Sequence, residues 1–312
     1  MKIYIVGAGA MGSFYGGRLK LNGCDVTLID VSKDHIDAIN QRGLLLETDG
    51  GSYLINIPAR FASEIERKAD LIILFTKTYH TKSALESIRH LINGDTYVLT
   101  LQNGLGNVEK INEFFDLSKI IVGITTHPSE FIAPGHVRSF GSGITKIMSA
   151  DGKMNYMLDT IYSIFNSSGL PCEISLTIYK DIWKKLAFNV ALNSIGCVTY
   201  LTNGGIGSTN EGRLLVRKAI EEVVSVANKK GIDITVDEIM DSVENAIVNH
   251  KHHLGSMLQD VLAKRPTEID SLNGAVVNDA KRLGMAVPTV ETLYYLVKIQ
   301  EQTYDERIRN LW

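Results

Sequence analysis

The chain has 312 residues, 45% of them apolar and 21% charged, which is length enough for two domains and the balance of a globular protein that buries a core. That excludes a disordered, collagen-like or disulfide-scaffold protein. A net charge of −3 supplies no basic field for nucleic acid or an anionic membrane.

The first apolar run, Ile3–Val6, ends in glycines rather than a cleavage site and is too short for a signal h-region. Further strand candidates are Asp25–Ile29, Leu71–Phe75, Tyr97–Leu101 and Ile120–Gly123, with helical patterns between most of them. This alternation predicts a parallel sheet with crossover helices. Leu44–Glu47 and Tyr53–Ile57, separated by a segment containing Asp49-Gly50, read as an inserted hairpin. After Pro171 the strand signals stop. A long helical pattern runs from about Ile178 to Tyr200, and Asn203-Gly204-Gly205 breaks it. Another runs from about Glu211 to Lys230 and stops at Gly231, and the remainder to Trp312 keeps a helical pattern. The expectation is a Rossmann-type, doubly wound α/β domain over 1–172 followed by an all-α domain over 173–312. No apolar segment reaches the roughly 18 residues that span a bilayer. The three cysteines, Cys24, Cys172 and Cys197, have neither CxxC nor metal-ligand spacing and fit a reducing cytoplasm. The protein is therefore expected to be cytoplasmic, with no membrane, nucleic-acid or metal partner.

Gly7-Ala8-Gly9-Ala10-Met11-Gly12 is a GxGxxG. It follows a strand, opens a helix read from Ser13 to about Leu21, and is followed by a second strand ending at Asp30. In that setting it predicts dinucleotide binding: Gly7 for the turn, Gly9 for approach of the pyrophosphate, Gly12 for packing of helix on strand. Asp30 falls where a carboxylate holds the adenosine ribose hydroxyls and repels a 2′-phosphate, which favours NAD over NADP. Lys33 pulls the other way, and Asp30 also reads as an N-cap for the next helix. Lys77 and Asn103 sit just past strands, at the ligand edge of an open parallel sheet.

Lys185, Asn189 and Asn193 stand at i, i+4 and i+8 on a helix whose other faces carry Phe188, Val190, Ala191 and Leu192. A helix apolar on most sides is buried, so one ammonium and two amides on one stripe call for polar partners, which a ligand in an interdomain cleft supplies. The alternative is a solvated stripe. Pro266 or Thr267 reads as a helix start with Glu268 and Asp270 in its first turn, a placement that suits the macrodipole. His250, His252 and His253 read as a solvated helix end, and no metal site is expected.

These pieces in this order resemble the ketopantoate reductase (2-dehydropantoate 2-reductase) family over essentially the whole chain. The residues carrying the resemblance are Gly7–Gly12, Lys77, Gln102-Asn103-Gly104, Gly123–His127, the Trp183-x-Lys185-Leu186-x-x-Asn189-x-x-x-Asn193 helix, Asn203-Gly204, Ser256-Met257-x-Gln259-Asp260 and Thr267-Glu268-Ile269-Asp270-x-x-Asn273-Gly274. The resemblance implies reduction of 2-dehydropantoate to (R)-pantoate by NADH or NADPH, as in pantothenate biosynthesis. Lys185 is then the proton donor to the ketone oxygen, with Glu268 beside it at the cofactor–substrate junction. Asn189, Asn193, Asn203 and Ser256 hold the substrate, Asn103 touches both ligands, and Lys77 and Ser129 lie with the cofactor. Two departures stand out: Asp30 replaces the basic residue common near the end of the second strand, and Ser194 stands where many members have proline. Both fit the family's other branch, NAD-linked D-2-hydroxyacid dehydrogenases acting on branched or aromatic 2-keto acids. A nucleotide-sensing protein without turnover is a third reading, opposed by the intact Lys185 and Glu268. The all-α part offers surface for a homodimer.

Overall fold

The computed structural model describes residues 1–306, so the end of the helical run expected to reach Trp312 lies outside the described residues. The chain separates into two compact units. One comprises Met1–Gln102 and Asn107–Ile178; the other comprises Asn103–Gly106 and the chain from Tyr179 onward.

The first unit carries strands β1 (Lys2–Val6), β2 (Asp25–Ile29), β3 (Leu44–Thr48), β4 (Gly51–Ile55), β5 (Ala59–Arg60), β6 (Leu71–Leu74), β7 (Tyr97–Thr100), β8 (Ile120–Thr125), β9 (Glu130–Ala133), β10 (His136–Ser139), β11 (Thr145–Ser149) and β12 (Cys172–Ile174). Its helices are α1 (Ala10–Leu21), α2 (Lys33–Arg42), α3 (Thr81–Ser87), α4 (Asn107–Ile111) and α5 (Tyr156–Ser167). An eight-stranded sheet has the order β12-β11-β8-β7-β6-β1-β2-β5. From β5 through β8 every pairing is parallel, which is the doubly wound order with its reversal beside β1. Every residue of β1, β6 and β7 is buried, the signature of strands covered on both faces.

The hairpin forms, pairing Leu44 with Ile55 and Thr48 with Gly51. It belongs to a second sheet of order β4-β3-β10-β9. The strands β9 and β10 do not stand out in the sequence because every residue of β9 is exposed, so no apolar alternation marks it. Pro134-Gly135 between them is a turn signal that points to this hairpin. Strand signals also do not stop at Pro171: Cys172–Ile174 pairs parallel with β11, which itself runs antiparallel to β8. Three residues at a sheet edge are too few to leave a pattern. The first helix opens at Ala10, three residues before Ser13, because Gly9 is already its N-cap.

The second unit is helical: α6 (Ile178–Thr199, whose first residue belongs to the first unit), α7 (Asn203–Gly207), α8 (Asn210–Lys229), α9 (Val236–Asn249), α10 (Ser256–Leu262), α11 (Asn273–Arg282) and α12 (Pro288–Gln302). Start signals are local and polar. Thr209 caps α8, Thr235 and Glu238 close a capping box on α9, and Glu222 accepts the first amides of α12 from Thr289 and Val290 at 2.9 and 2.8 Å. Ala219, Ile220, Val223, Val226 and Ala227 of α8 are buried as their spacing predicts, in one core with Trp183, Leu186 and Val190 of α6. No helix within the described residues starts at Pro266 or Thr267; the segment to Leu272 is a run of turns and the helix begins at Asn273. Thr267 and Glu268 are buried there, and burial overrides the surface preference of acids for a first helical turn. His250 is the C-cap of α9 and, with His252 and His253, is exposed. No described helix is long and apolar enough to cross a membrane.

Inside the first unit the buried Tyr15 hydroxyl bonds the Thr125 and Thr145 hydroxyls at 2.8 and 2.6 Å. Burial pushes its pKa above the ordinary tyrosine value, so it stays neutral at every working pH. Tyr15→Phe is expected to cost about 1–2 kcal/mol of unfolding free energy, because two buried threonine hydroxyls each lose a partner. Urea denaturation of wild type and variant reads this directly; an unchanged midpoint contradicts it.

Candidate active site

In the first unit the glycine turn joins β1 to α1 with no side chain to spare. Gly7 has φ +89°, and a Cβ there would lie 2.7 Å from the Thr76 amide nitrogen. A Cβ on Gly12 would lie 2.0 Å from the Gly7 carbonyl oxygen. Gly9 differs: nothing lies within 4 Å of its missing Cβ. As N-cap it offers no side-chain hydrogen bond to the amides of the first helical turn. Free amides beside open space at a helix N-terminus suit the pyrophosphate of a dinucleotide.

Asp30, at the end of β2, faces this turn. Its Oδ2 accepts the Ala8 amide at 2.7 Å, and its Oδ1 accepts the Val31 and Ser32 amides at 2.8 Å each. It is not the cap of α2; Ser32 is, its Oγ accepting the His35 amide. Lys33 is exposed and ion-paired with Asp37 one turn on. Lys77 is the half-buried residue before a 3₁₀ turn over Thr78–His80. Ser129 follows β8, with its Oγ buried and lacking a hydrogen-bond partner among the described residues. The Gly7 turn, Asp30, Lys77 and Ser129 thus all follow carboxyl ends of parallel strands, the ligand edge of such a sheet.

The second unit gathers the remaining candidates. Asn189 and Asn193 of α6 are each 8% exposed, and Lys185 is half-buried on the same stripe. Burial pushes the Lys185 pKa down to about 8, and the Glu268 carboxylate, itself 8% exposed, partly opposes that shift. Desolvation favours the neutral amine, a nearby anion the ammonium, and here the first is larger. The segment before α10 closes on the far end of the stripe: a Cβ on Gly255 would lie 2.6 Å from Asn193 Oδ1. The buried Asn203, at the start of α7, donates its amide to the carbonyl of His253 in that segment at 3.2 Å. Ser256 begins α10 and is exposed. Asn103 enters this unit with the short segment after β7, where the Leu105 amide donates to the Ser271 carbonyl at 2.9 Å, three residues past Glu268. The unit therefore brings together one cation of lowered pKa, one buried carboxylate and several buried amides. Such a set is chemically suited to a small anion that carries a carbonyl and to the movement of one proton.

Comparison with known proteins follows the same outline. The sequence profile described as ketopantoate reductase PanE/ApbA matches residues 3–152, and that of its C-terminal part matches residues 177–301. A 2-dehydropantoate 2-reductase of Pyrococcus horikoshii is 37% identical over 96% of this chain and 98% of its own. The chain belongs to the ketopantoate reductase family. A Streptococcus pyogenes member named 2-dehydropantoate 2-reductase is 32% identical over 96% of this chain and 98% of its own. Among solved structures, D-mandelate dehydrogenase with NADH and anilino(oxo)acetate has a TM-score of 0.94 at 32% identity, covering 98% of this chain and 100% of that one. A ketopantoate reductase from Ralstonia eutropha has a TM-score of 0.90 at 29% identity, covering 98% and 100%.

Within this family member, two buried groups escaped the sequence reading of roles. Ser194 is fully buried; its hydroxyl donates to the Val190 carbonyl and accepts from Asn273 Nδ2 at 3.3 Å. That pair ties α6 to α11 directly behind Asn193. Only tertiary proximity reveals it, since the two lie 79 positions apart.

The glycine turn yields a paired test. Gly12→Ala should cost roughly 1–3 kcal/mol of stability, because its Cβ meets backbone. Gly9→Ala should leave the melting temperature nearly unchanged yet weaken dinucleotide binding, because its Cβ fills the open space. Thermal melts and NADH titrations of both variants check this; equal destabilisation by the two would contradict it.

Proposed function

We propose that this chain reduces 2-dehydropantoate to (R)-pantoate with a nicotinamide dinucleotide, the glycine turn and Asp30 holding the dinucleotide and Lys185 acting as the proton donor. The observation that carries the reading is Lys185: an amine on a stripe with two buried asparagines, brought to a pKa of about 8 by burial, with Glu268 partly opposing the shift. An acid–base group works best when its pKa lies near the working pH, and this one does.

When bound, the dinucleotide supplies the hydride. Lys185 donates a hydrogen bond to the ketone oxygen, stabilises negative charge as it grows there, and delivers the proton that completes the alcohol. Asn189 and Asn193, one and two turns along α6, hold the carboxylate and hydroxyl of the substrate through their amides. Asn203 and Ser256, drawn in by the loop before α10, close on the same groups. Glu268 keeps Lys185 protonated more than burial alone would, and Asn103 and Ser129 orient the two ligands. Lys77 adds positive charge at the ligand edge. Three thiols, none disulfide-bonded, suit reaction in a reducing cytoplasm.

NADH is the favoured cofactor. The Asp30 carboxylate, beside the glycine turn at the end of β2, would repel a 2′-phosphate, and the Lys33 ammonium, which would neutralise one, is engaged by Asp37. A second reading has a specific support: D-mandelate dehydrogenase is similar in structure at a TM-score of 0.94. In that reading the same residues reduce a branched or aromatic 2-keto acid, and the wall of the pocket, not the chemistry, differs.

Initial rates of NADH and NADPH oxidation with ketopantoate, 2-ketoisovalerate and benzoylformate decide between them. Ketopantoate is expected to have the highest kcat/KM; dominance of benzoylformate would transfer the chain to the second reading. Turnover of none would remove both. Lys185→Ala should lower kcat by roughly 10²–10⁴-fold with NADH binding nearly intact.

The pH profile follows from the sign of the shift. Reduction requires the ammonium, so kcat/KM for the keto acid should fall as pH rises through about 8, while oxidation of the alcohol should gain over the same range. Glu268→Gln removes the charge that favours the ammonium, so the falling limb should move to lower pH. A limb that moves upward contradicts the assignment.

A further inference from the structure

His35 has no part in the chemistry above, yet it is 1% exposed and every polar atom of its ring is engaged. Its Nδ1 accepts the Gly135 amide at 3.0 Å, from the turn between β9 and β10. An accepting Nδ1 leaves the proton of the neutral ring on Nε2, which lies 3.2 Å from Ser13 Oγ on α1. Ser13 Oγ in turn donates to the Ala8 carbonyl at 2.6 Å, and the Ala8 amide donates to Asp30 Oδ2 at 2.7 Å. One assignment of protons satisfies the whole chain of bonds, and it runs in one direction from Gly135 to Ala8. Burial lowers the His35 pKa, the Asp30 carboxylate and a hydrogen bond to the Ala8 backbone partly opposing it, and the neutral ring is the form this chain of bonds needs.

The consequence lies in the peptide planes of the glycine turn. Ala8 is held on both sides, its N–H by Asp30 and its C=O by Ser13. In a trans peptide the C=O and the following N–H point in opposite directions, and the described chain has no cis bond. Anchoring the Ala8 carbonyl onto Ser13 therefore aims the Gly9 N–H the other way, away from Ser13 Oγ. Gly9 is the position whose Cβ side is open. We propose that His35 is a positioning residue: acting through Ser13, it fixes the Ala8–Gly9 peptide so that the Gly9 amide is already aimed at an incoming pyrophosphate. The proposal rests on the reading of the turn as the dinucleotide site. It also gives the four-stranded sheet a role, since the β9–β10 turn supplies the bond that sets the His35 tautomer.

The test uses the full chain and reads NADH binding by fluorescence titration, beside kcat and the KM of the keto acid. Ser13→Ala keeps the helix and removes the hydroxyl that anchors the Ala8 carbonyl. It should raise the NADH Kd roughly five- to tenfold, the worth of a lost positioning hydrogen bond, with kcat at saturating NADH and keto-acid KM within about twofold of wild type. His35→Phe, which keeps a ring of similar size, should show the same split; His35→Gln restores a donor toward Ser13 and should recover most of the affinity. If His35→Phe does not fold, Ser13→Ala and His35→Gln decide the matter. An NADH Kd within twofold of wild type in Ser13→Ala overturns the proposal, as does a loss that falls on kcat instead of Kd. A wild type that binds no dinucleotide overturns the reading of the turn itself, a result distinct from a wild type that binds and a variant that binds equally well.

Discussion

The Gly7 carbonyl oxygen and the α carbon of Gly12 approach so closely that no side chain fits between them, and much of the first unit follows from that contact. It lets α1 start at Ala10, directly after the turn, so the helix N-terminus stands at the carboxyl edge of the sheet. It requires β1 at the point where the parallel order reverses, with β2 and β6 on either side. The backbone is then too cramped to adjust itself, and its orientation is set from outside, by Asp30 from β2 and by Ser13 with His35 from two helices. A rigid turn held by polar groups at its back meets the physical requirement of a preorganised anion site, in which amides need little reorganisation when charge arrives.

The second unit solves a different problem. A helix with apolar faces packs Trp183, Leu186 and Val190 into the core while carrying an amine and two amides along one stripe. Such groups cost free energy in a dry setting unless they are paired. At Lys185 burial lowers the pKa toward the working range, and the Glu268 carboxylate limits how far it falls. Ser194 and Asn273 contribute at one remove, locking α6 against α11 so that Asn193 is held in place.

Local signals read well from the sequence. The buried central strands, the Asp49-Gly50 hairpin, the helix stop at Gly231 and the Lys185 stripe are periodicities or turn residues within a few positions. The glycine turn is legible because steric demands on Gly7 and Gly12 leave no other residue possible. What did not show was set by distance. The β9–β10 hairpin exists because β3 offers an edge, and Cys172–Ile174 becomes a strand only beside β11. The turns around Glu268 likewise come from burial, which the sequence does not print; an acid after Pro-Thr looks like a helix start until its surroundings are known. His35 passes as an ordinary polar residue of α2, since its three neighbours in the bond chain come from elsewhere in the fold.

The short segment Asn103–Gly106 groups with the helices although the residues on either side belong to the sheet. Leu105 packs against the helical core, and its amide is bonded to Ser271. In chain order the polypeptide contributes once to the helical unit before returning to finish the sheet. A gene cut after residue 178 would encode a helical fragment that lacks Leu105 and the amide it donates to the Ser271 carbonyl. Recombination that exchanged the helical half between relatives would have to match the loop after β7 as well, so the two halves are bound to change together.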